Sequence, residues 1–462
     1  MTSACADGGE DIFSGARVVG AVENILAHVR LPATNSLMSR SPAACLIFAL
    51  GCVSVTMAAP PIAAPETPRA MRQGFDEVRL GRLDQLIQRH IDQGELAGGV
   101  LHVLRDGRPV RLTAYGWQHK ENGQPMRTDA IFRIASMSKA VTSVAVMMMY
   151  EEGKFLLHDP VSKFIPAFKN SVVAVAPPPD GSKDVKYVTV PAKRPIQIRD
   201  LLTHTAGLTY GDGLALDLYK QAGLHGWYFA DKDETIGECI NRLATLPLHG
   251  HPGEAWQYGY ATDVLGYLVE IVSGLTLDRF IEERICQPLK MVDTGFFLPP
   301  EKASRLAPVY GLEKGVLVLK ETSDRSDYVQ GPRKCFSGGA GLLSTAGDYG
   351  RFLQMLLNRG QLDGVRLLAP KTVDLMHVNH TGDKYRNDTS AFGLGFWVND
   401  DPGFYGEVGS VGAYGWGSAY YPQYLIDPQE RLVALFMTQL RPAGSLDLNQ
   451  KFKVMVYQAL ME

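Results

Sequence analysis

The sequence predicts an α/β protein: one domain assembled from strands near both ends of the chain, with a mostly helical domain inserted between them. Three observations carry this. Strand-like runs occur at 100–115 and again between 392 and 438, helical periodicity accompanies both, and the stretch from 131 to 330 alternates helical runs with Pro/Gly-rich loops, notably 174–195. The implied division is 1–75 for a leader and linker, 76–130 with 336–462 for the α/β domain, and 131–335 for the helical one.

Taken in order, the first feature is the apolar run Ala43 to Ala59, which follows Met38-Ser39-Arg40 and gives way to Pro60 and Pro61. A short basic stretch, an apolar core and small residues at the exit describe a secretory signal, and the run is short for a membrane span. Since 37 residues precede Met38, the expectation is a true start at Met38 and export to the periplasm or medium; without a signal at 38–59 the chain stays cytoplasmic. Cys52 follows Leu50-Gly51, but Ala49 stands where a lipoprotein site has a larger aliphatic residue, so membrane attachment is expected only if the segment is lipidated or retained. Residues 60–73 read as a Pro/Ala linker. Leu80, Leu83, Ile87 and Ile91 then recur at helical spacing, predicting an amphipathic helix over 76–93 that Gly94 and Gly98-Gly99 end. Val100 to Leu104, the turn Asp106-Gly107 and Val110 to Tyr115 read as a hairpin. Beyond 336 come a Gly-rich turn, a helix over Tyr349–Leu357, aromatic Gly-rich strands at 392–399 and 411–426, a strand at Leu432–Thr438 and a closing helix over 447–460.

Composition narrows the function. Hydrophobic residues make up 45% and charged residues 21%, which excludes a disordered or fibrous chain. Lys and Arg number 46 against 49 acidic residues, with no basic stripe, so nucleic-acid binding is not expected. The cysteines at 5, 45, 52, 239, 286 and 335 form no C-x-x-C pair and read as buried or free thiols. His249 and His251 form a His-x-His pair without a third ligand or an H-E-x-x-H helix, so they read as loop histidines. No metal and no organic cofactor is implied.

Ser136-Met137-Ser138-Lys139 is the only Ser-x-x-Lys quartet in the chain. On a helix, residues three apart share a face, so the Lys139 amine reaches the Ser136 hydroxyl. Serine alone is a weak nucleophile and needs a neighbouring base, which lysine supplies once its environment makes it neutral. Ala140 to Tyr150 is nearly all apolar, so the quartet opens a buried helix whose first N–H groups favour an oxyanion. No G-x-S-x-G occurs, which excludes a nucleophile elbow, and the glycines of 338–341 read as a tight turn.

The quartet gains weight from its company. FRIASMSKAVTS (132–143), DPVSKFIP (159–166), IRDLLTHTAGL (198–208), PGEAWQYGYATDVLG (252–266), SGGAGLLSTAGDYGRFLQMLL (337–357) and WGSAYYPQYLIDP (416–428) stand in an order that resembles the serine β-lactamase-like superfamily. That superfamily takes in class C β-lactamases, DD-peptidases and family VIII carboxylesterases, and the resemblance runs from about 80 to 460, nearest to the esterases. It implies an antiparallel sheet flanked by helices, with Ser136 as nucleophile and Lys139 as its proton acceptor. Tyr258 matches the tyrosine of the family's Tyr-x-Asn motif; without the flanking PGEAW it reads as a core aromatic after Trp256. His204 falls in a stretch of family texture and reads as a packing or hydrogen-bonding residue.

Two departures discriminate within the superfamily. Tyr260 replaces the asparagine, and no Lys-Thr-Gly is present. Either Ser410-Val411-Gly412 or Trp416-Gly417-Ser418 takes the place of that third motif, and both lack the cation that recognises a lactam or peptide carboxylate. The resemblance therefore implies a serine carboxylesterase acting on small-molecule, short-chain acyl esters through an acyl-enzyme, with the Ser136 N–H and one from Trp416–Ala419 holding the oxyanion. Its rivals are a β-lactamase, a DD-peptidase, an acyltransferase, or a catalytically silent ligand-binding protein. Lysine and tyrosine ordinarily titrate near about 10. The pair must shed a proton before it can activate serine, so ester hydrolysis should rise with pH and peak on the alkaline side of neutral. A kcat/KM profile flat from acid to alkaline pH would remove the pair from the mechanism.

Overall fold

Asp76 starts the first helix, α1 (Glu77–Asp92), by accepting the Arg79 N–H at 3.0 Å, and Gly94 at φ +72° follows its end. Gly98 and Gly99, expected to finish that helix, instead begin strand β1 (Gly98–Arg105). A Cβ at Gly98 would lie 2.4 Å from the Tyr115 carbonyl oxygen and one at Gly99 2.6 Å from that of Met437, so three backbones converge where only glycine fits. The computed structural model describes residues 71–179, 185–385 and 390–462, all within one unit beginning at Ala70. The predicted signal at 38–59, the linker before residue 71 and Cys5, Cys45 and Cys52 lie outside the described residues. Among the described residues no helix is long and apolar enough to cross a membrane, and Cys239, Cys286 and Cys335 are buried free thiols.

From β1 the chain runs through β2 (Arg108–His119), β3 (Gln124–Pro125), β4 (Phe132–Arg133), a 3-10 turn at Ala135–Met137 and α2 (Ser138–Glu151). Farther on come α3 (Ala261–Ser273), β5 (Leu343–Ser344) and α4 (Ala346–Leu357). The C-terminal part supplies β6 (Ala391–Phe392), β7 (Trp397–Val398), β8 (Tyr414–Gly417), β9 (Gln423–Asp427), β10 (Leu432–Met437) and α5 (Leu448–Tyr457). Each stretch read as one strand, 392–399 and 411–426, is thus a pair of short strands divided by a turn. The stretch read as helices and loops also holds two hairpins, Val172–Val175 with Val188–Pro191 and Val309–Glu313 with Val316–Glu321. Four to six residues leave too little alternation for periodicity to separate a strand from a loop.

The sheet has eight strands in the order β6-β7-β8-β9-β10-β1-β2-β3, every neighbouring pair antiparallel. Its N- and C-terminal segments meet where β10 pairs with β1, with Leu435 opposite His102. Both strands are buried on both faces. Val433, Leu435 and Met437 enter the core that holds α2, α3 and α4, while Leu432, Ala434 and Phe436 enter the one beneath α1 and α5. Leu435→Ala should therefore destabilise the fold by about 2–5 kcal/mol. Val316→Ala, on an exposed hairpin, should stay within about 0.5 kcal/mol, and denaturant midpoints at constant slope would check both.

Candidate active site

Ser136 sits in the 3-10 turn ahead of α2, one residue after Ala135 at the positive φ of 36°. Residues three apart eclipse in a 3-10 turn, so Lys139, already in α2, still comes beneath the serine. The turn is held from several sides. β4 pairs with β5, Ser138 Oγ accepts the Leu342 N–H at 3.0 Å, and Tyr349 donates to the Met137 carbonyl at 2.9 Å. Arg133, fully buried, donates to the Ala307 carbonyl, Gln439, Ser326 and Glu321. Every residue of α2 from Ser138 to Met149 is buried, as its composition predicts.

Lys139 is 2% exposed, and its Nζ donates to the Gly339 carbonyl at 2.8 Å, to the Tyr210 hydroxyl at 3.0 Å and to Ser136 Oγ at 3.5 Å. It also lies 4.5 Å from the centre of the Tyr258 ring. Tyr258 stacks on Trp256 (5.7 Å, 17°), packs against His204 (4.8 Å), and accepts a hydrogen bond from Trp416 Nε1 at 3.2 Å. The quartet, Tyr258 and Trp416 therefore meet in one place. His204 is a packing residue there: its ring also touches Trp256 and Phe392, and burial first, then the Lys139 charge, push it well below the ordinary histidine range.

Tyr210, which the sequence reading did not single out, completes the cluster. Burial first, then Tyr258, Asp263 and Tyr260, push its phenol well above the ordinary range, so it keeps its proton while accepting from Lys139. Its only sequence signal is an aromatic two residues past the IRDLLTHTAGL segment. Gly259 allows the close approach, since a Cβ there would lie 2.4 Å from Thr209 backbone atoms. Asp263, also missed, accepts from Ser337 Oγ at 2.5 Å and from the Gly339 N–H at 3.1 Å, and so holds the turn whose carbonyl receives Lys139.

Of the third-motif candidates, the structure brings Trp416-Gly417-Ser418 to the site. β8 packs against the Ser136 turn, and Ala419 packs with Trp227 on a small cluster of Ala135, Val309, Ala340 and Tyr420. Gly417 pairs with Gln423, and Ser418 Oγ is occupied in accepting the Tyr420 N–H at 3.3 Å. Ser410 and Gly412 are corrected: they belong to the β7–β8 loop at the far end of β8, where Ser410 N–H donates to Asp427 and Gly412 N–H to the Asn399 carbonyl. Tyr260 is also corrected. Its ring is fully buried on Phe229 and its hydroxyl donates to the Gly226 carbonyl at 2.5 Å, because the residue precedes α3 and turns into the core. His249 and His251 lie on a loop, and among the described residues no group of three or more His, Cys, Asp or Glu is placed to hold a metal ion.

A serine, a buried lysine and two phenols in mutual contact can activate a nucleophile and move its proton. Comparison with known proteins agrees with that chemistry. Residues 83–453 match the Beta-lactamase family, and the chain belongs to it. It is 35% identical over 369 residues to Protein Rv1367c of Mycobacterium tuberculosis, covering 77% of this chain and 89% of that one. It is 30% identical over 384 residues to Esterase EstB of Burkholderia gladioli, covering 79% and 91%. Among solved structures it resembles EstCE1, a hydrolase with promiscuous acyltransferase activity, with a TM-score of 0.70, 26% identity, and coverage of 82% and 99%. The chain is thus a β-lactamase-like serine hydrolase, with the antiparallel sheet and flanking helices that its sequence motifs imply.

The Trp416 N–H donates to the Tyr258 oxygen while the two rings pack together, so the indole orients the phenol beside Lys139. Trp416→Phe should keep the ring packing but lose that bond, and should lower kcat severalfold with KM little changed. An unchanged kcat would show that the bond does not position the phenol.

Proposed function

We propose that the protein is a serine carboxylesterase that hydrolyses short-chain acyl esters through a covalent acyl-enzyme. The observation that carries this reading is the buried contact of Lys139 with Ser136, Tyr210 and Tyr258, beside the strand end Trp416-Gly417-Ser418, which has no lysine of its own. Ser136 Oγ attacks the ester carbonyl while its proton passes to the Lys139/Tyr258 pair. The same proton then goes to the departing alkoxide, while Tyr210 keeps its own and can only donate a hydrogen bond on the leaving side. The backbone N–H groups of Ser136 and Ala419 hold the oxyanion, and the positive φ at Ala135 turns the serine towards β8. Water resolves the acyl-enzyme by the reverse proton path.

The Trp416-Gly417-Ser418 triplet supplies no lysine for a substrate carboxylate, so neutral esters fit better than lactams or peptides with free carboxylates. EstB, an esterase, supports this choice. Acyl transfer is a second reading, favoured by the acyltransferase activity of EstCE1, in which an alcohol replaces water at the second step.

Ser136→Ala should lower ester turnover by several orders of magnitude while the protein still folds, because a nucleophile and its base act as a unit. A fluorophosphonate probe should label the parent and not this variant; a silent binding protein would label in neither form. Aryl esters of short acyl chains should exceed a chromogenic cephalosporin in kcat/KM. If the lactam is the better substrate, the esterase assignment is wrong and the family assignment stands.

A further inference from the structure

The buried centre contains a second ionisable group that the proposed mechanism does not use. Asp263 lies in the first turn of α3, five residues after Tyr258, and is 1% exposed. An isolated carboxylate is costly to bury, yet no Lys, Arg or His stands within 4.0 Å of this one among the described residues. Its contacts are the Ser337 hydroxyl and the Gly339 N–H. The carbonyl of the same Gly339 accepts from Lys139 Nζ, so one glycine separates the buried carboxylate from the buried amine. That spacing is enforced: a Cβ at Gly339 would lie 2.5 Å from Asp263 Oδ2. Thr142 fixes the preceding peptide by donating to the Gly338 carbonyl at 2.8 Å.

The other titratable groups around this pair come from three segments. They are His204 and Tyr210 from 204–210, Tyr258 and Tyr260 ahead of α3, and Cys335 two residues before Ser337, with Cys239 4.0 Å behind it. Burial keeps His204, Tyr210, Tyr260 and Cys335 in their neutral forms. Burial also pushes Asp263 up, while Ser337, Lys139 and the Gly339 N–H oppose the rise. Among the described residues, Lys139 is the cation acting on the carboxylate there.

We propose that Asp263 is the buried counter-ion that keeps Lys139 an ammonium, so that the proton lost on activation comes off Tyr258, and that it positions Lys139 through the Gly339 peptide. The inference rests on the reading of Ser136, Lys139 and Tyr258 as the reacting set. One proton leaves to solvent on activation, and Lys139 keeps its own. Tyr258 is then a phenolate held between the ammonium and the Trp416 N–H, and it is the group that takes the proton from Ser136. Asp263 touches neither serine nor substrate, and it acts as a positioning residue.

The test is the ionisation of Tyr258 itself. On the alkaline plateau of activity the parent should show a tyrosinate ultraviolet difference signal that Tyr258→Phe lacks. Absence of that signal from the parent overturns the proposal without any Asp263 variant. Asp263→Asn keeps an acceptor for Ser337 and Gly339 but removes the charge, so the tyrosinate signal should fall. The acid limb of kcat/KM should move to lower pH as Lys139 gives up the proton instead. At the plateau kcat should drop tenfold or more with KM little changed. Ser337→Ala loosens the same turn and leaves the carboxylate, and it should lower kcat without moving the limb. If Asp263→Asn folds and keeps the parent's limb and signal, Asp263 is structural only. The underlying reading fails separately, if Ser136→Ala or Tyr258→Phe turns over esters as fast as the parent.

Discussion

A lysine amine withdrawn from water needs partners for its three N–H directions, and at Lys139 this requirement draws separate parts of the chain together. One partner is local, Ser136. The others are Tyr210, 71 residues away, and Gly339, 200 residues away. An amine left short of acceptors in such a place would be costly, so the burial of α2 depends on the 337–341 turn and the 204–210 segment. The glycines serve that closeness. A Cβ at Gly338 would lie 2.6 Å from the Thr262 carbonyl oxygen and one at Gly259 2.4 Å from Thr209 backbone atoms, contacts that no side chain tolerates.

The sheet gives this cluster its fixed wall. β8 pairs along its whole length with β9, Trp416 opposite Tyr424, and its first half pairs with β7 as well, which ties the Trp416 end to the sheet. β10 and β1, buried on both faces, tie that region to the N-terminal strands and helix. Reactive groups carried on such elements keep their geometry better than groups on free loops, which matters when the distance to be held is a single hydrogen bond. Ala135 stores backbone strain at the one point where the serine must leave the helical path, and the buried Arg133 and Tyr349 bonds on either side hold it there.

What could be read from the sequence follows the range of the contacts. Ser136 and Lys139 are three residues apart, and their relation survives the change from the expected helix to a 3-10 turn because both bring i and i+3 together. Tyr258 was reached through its flanking motif. Sequence alone does not separate Trp416 from Ser410, because both lie in one Gly-rich stretch, 409–418, and only the strand register shows which of them reaches the Ser136 turn. Tyr260 was placed in the site because a motif position stands for a direction in space, whereas this side chain turns inward to Gly226. Tyr210 and Asp263 carried no local pattern. Their importance lies in bonds to residues far along the chain, and no spacing rule records those.

Two tyrosines beside one lysine raise the question of which of them carries charge, and their surroundings differ enough to divide the work. Tyr210 faces Asp263, Tyr258 and Tyr260, with Lys139 as its hydrogen-bond donor, and burial among these groups holds its proton in place. Such a phenol is suited to donating a hydrogen bond, towards a leaving oxygen for instance, without giving up its proton. Tyr258 is half-buried and lies against the lysine through its ring, while its oxygen is turned to an indole N–H. The N–H fixes the direction of that oxygen and the amine lies over the ring face, so this phenol is held from two sides. The phenol that carries the proton in the proposed reaction and the phenol that only donates a hydrogen bond can then be two copies of the same residue type, kept apart by what each oxygen faces.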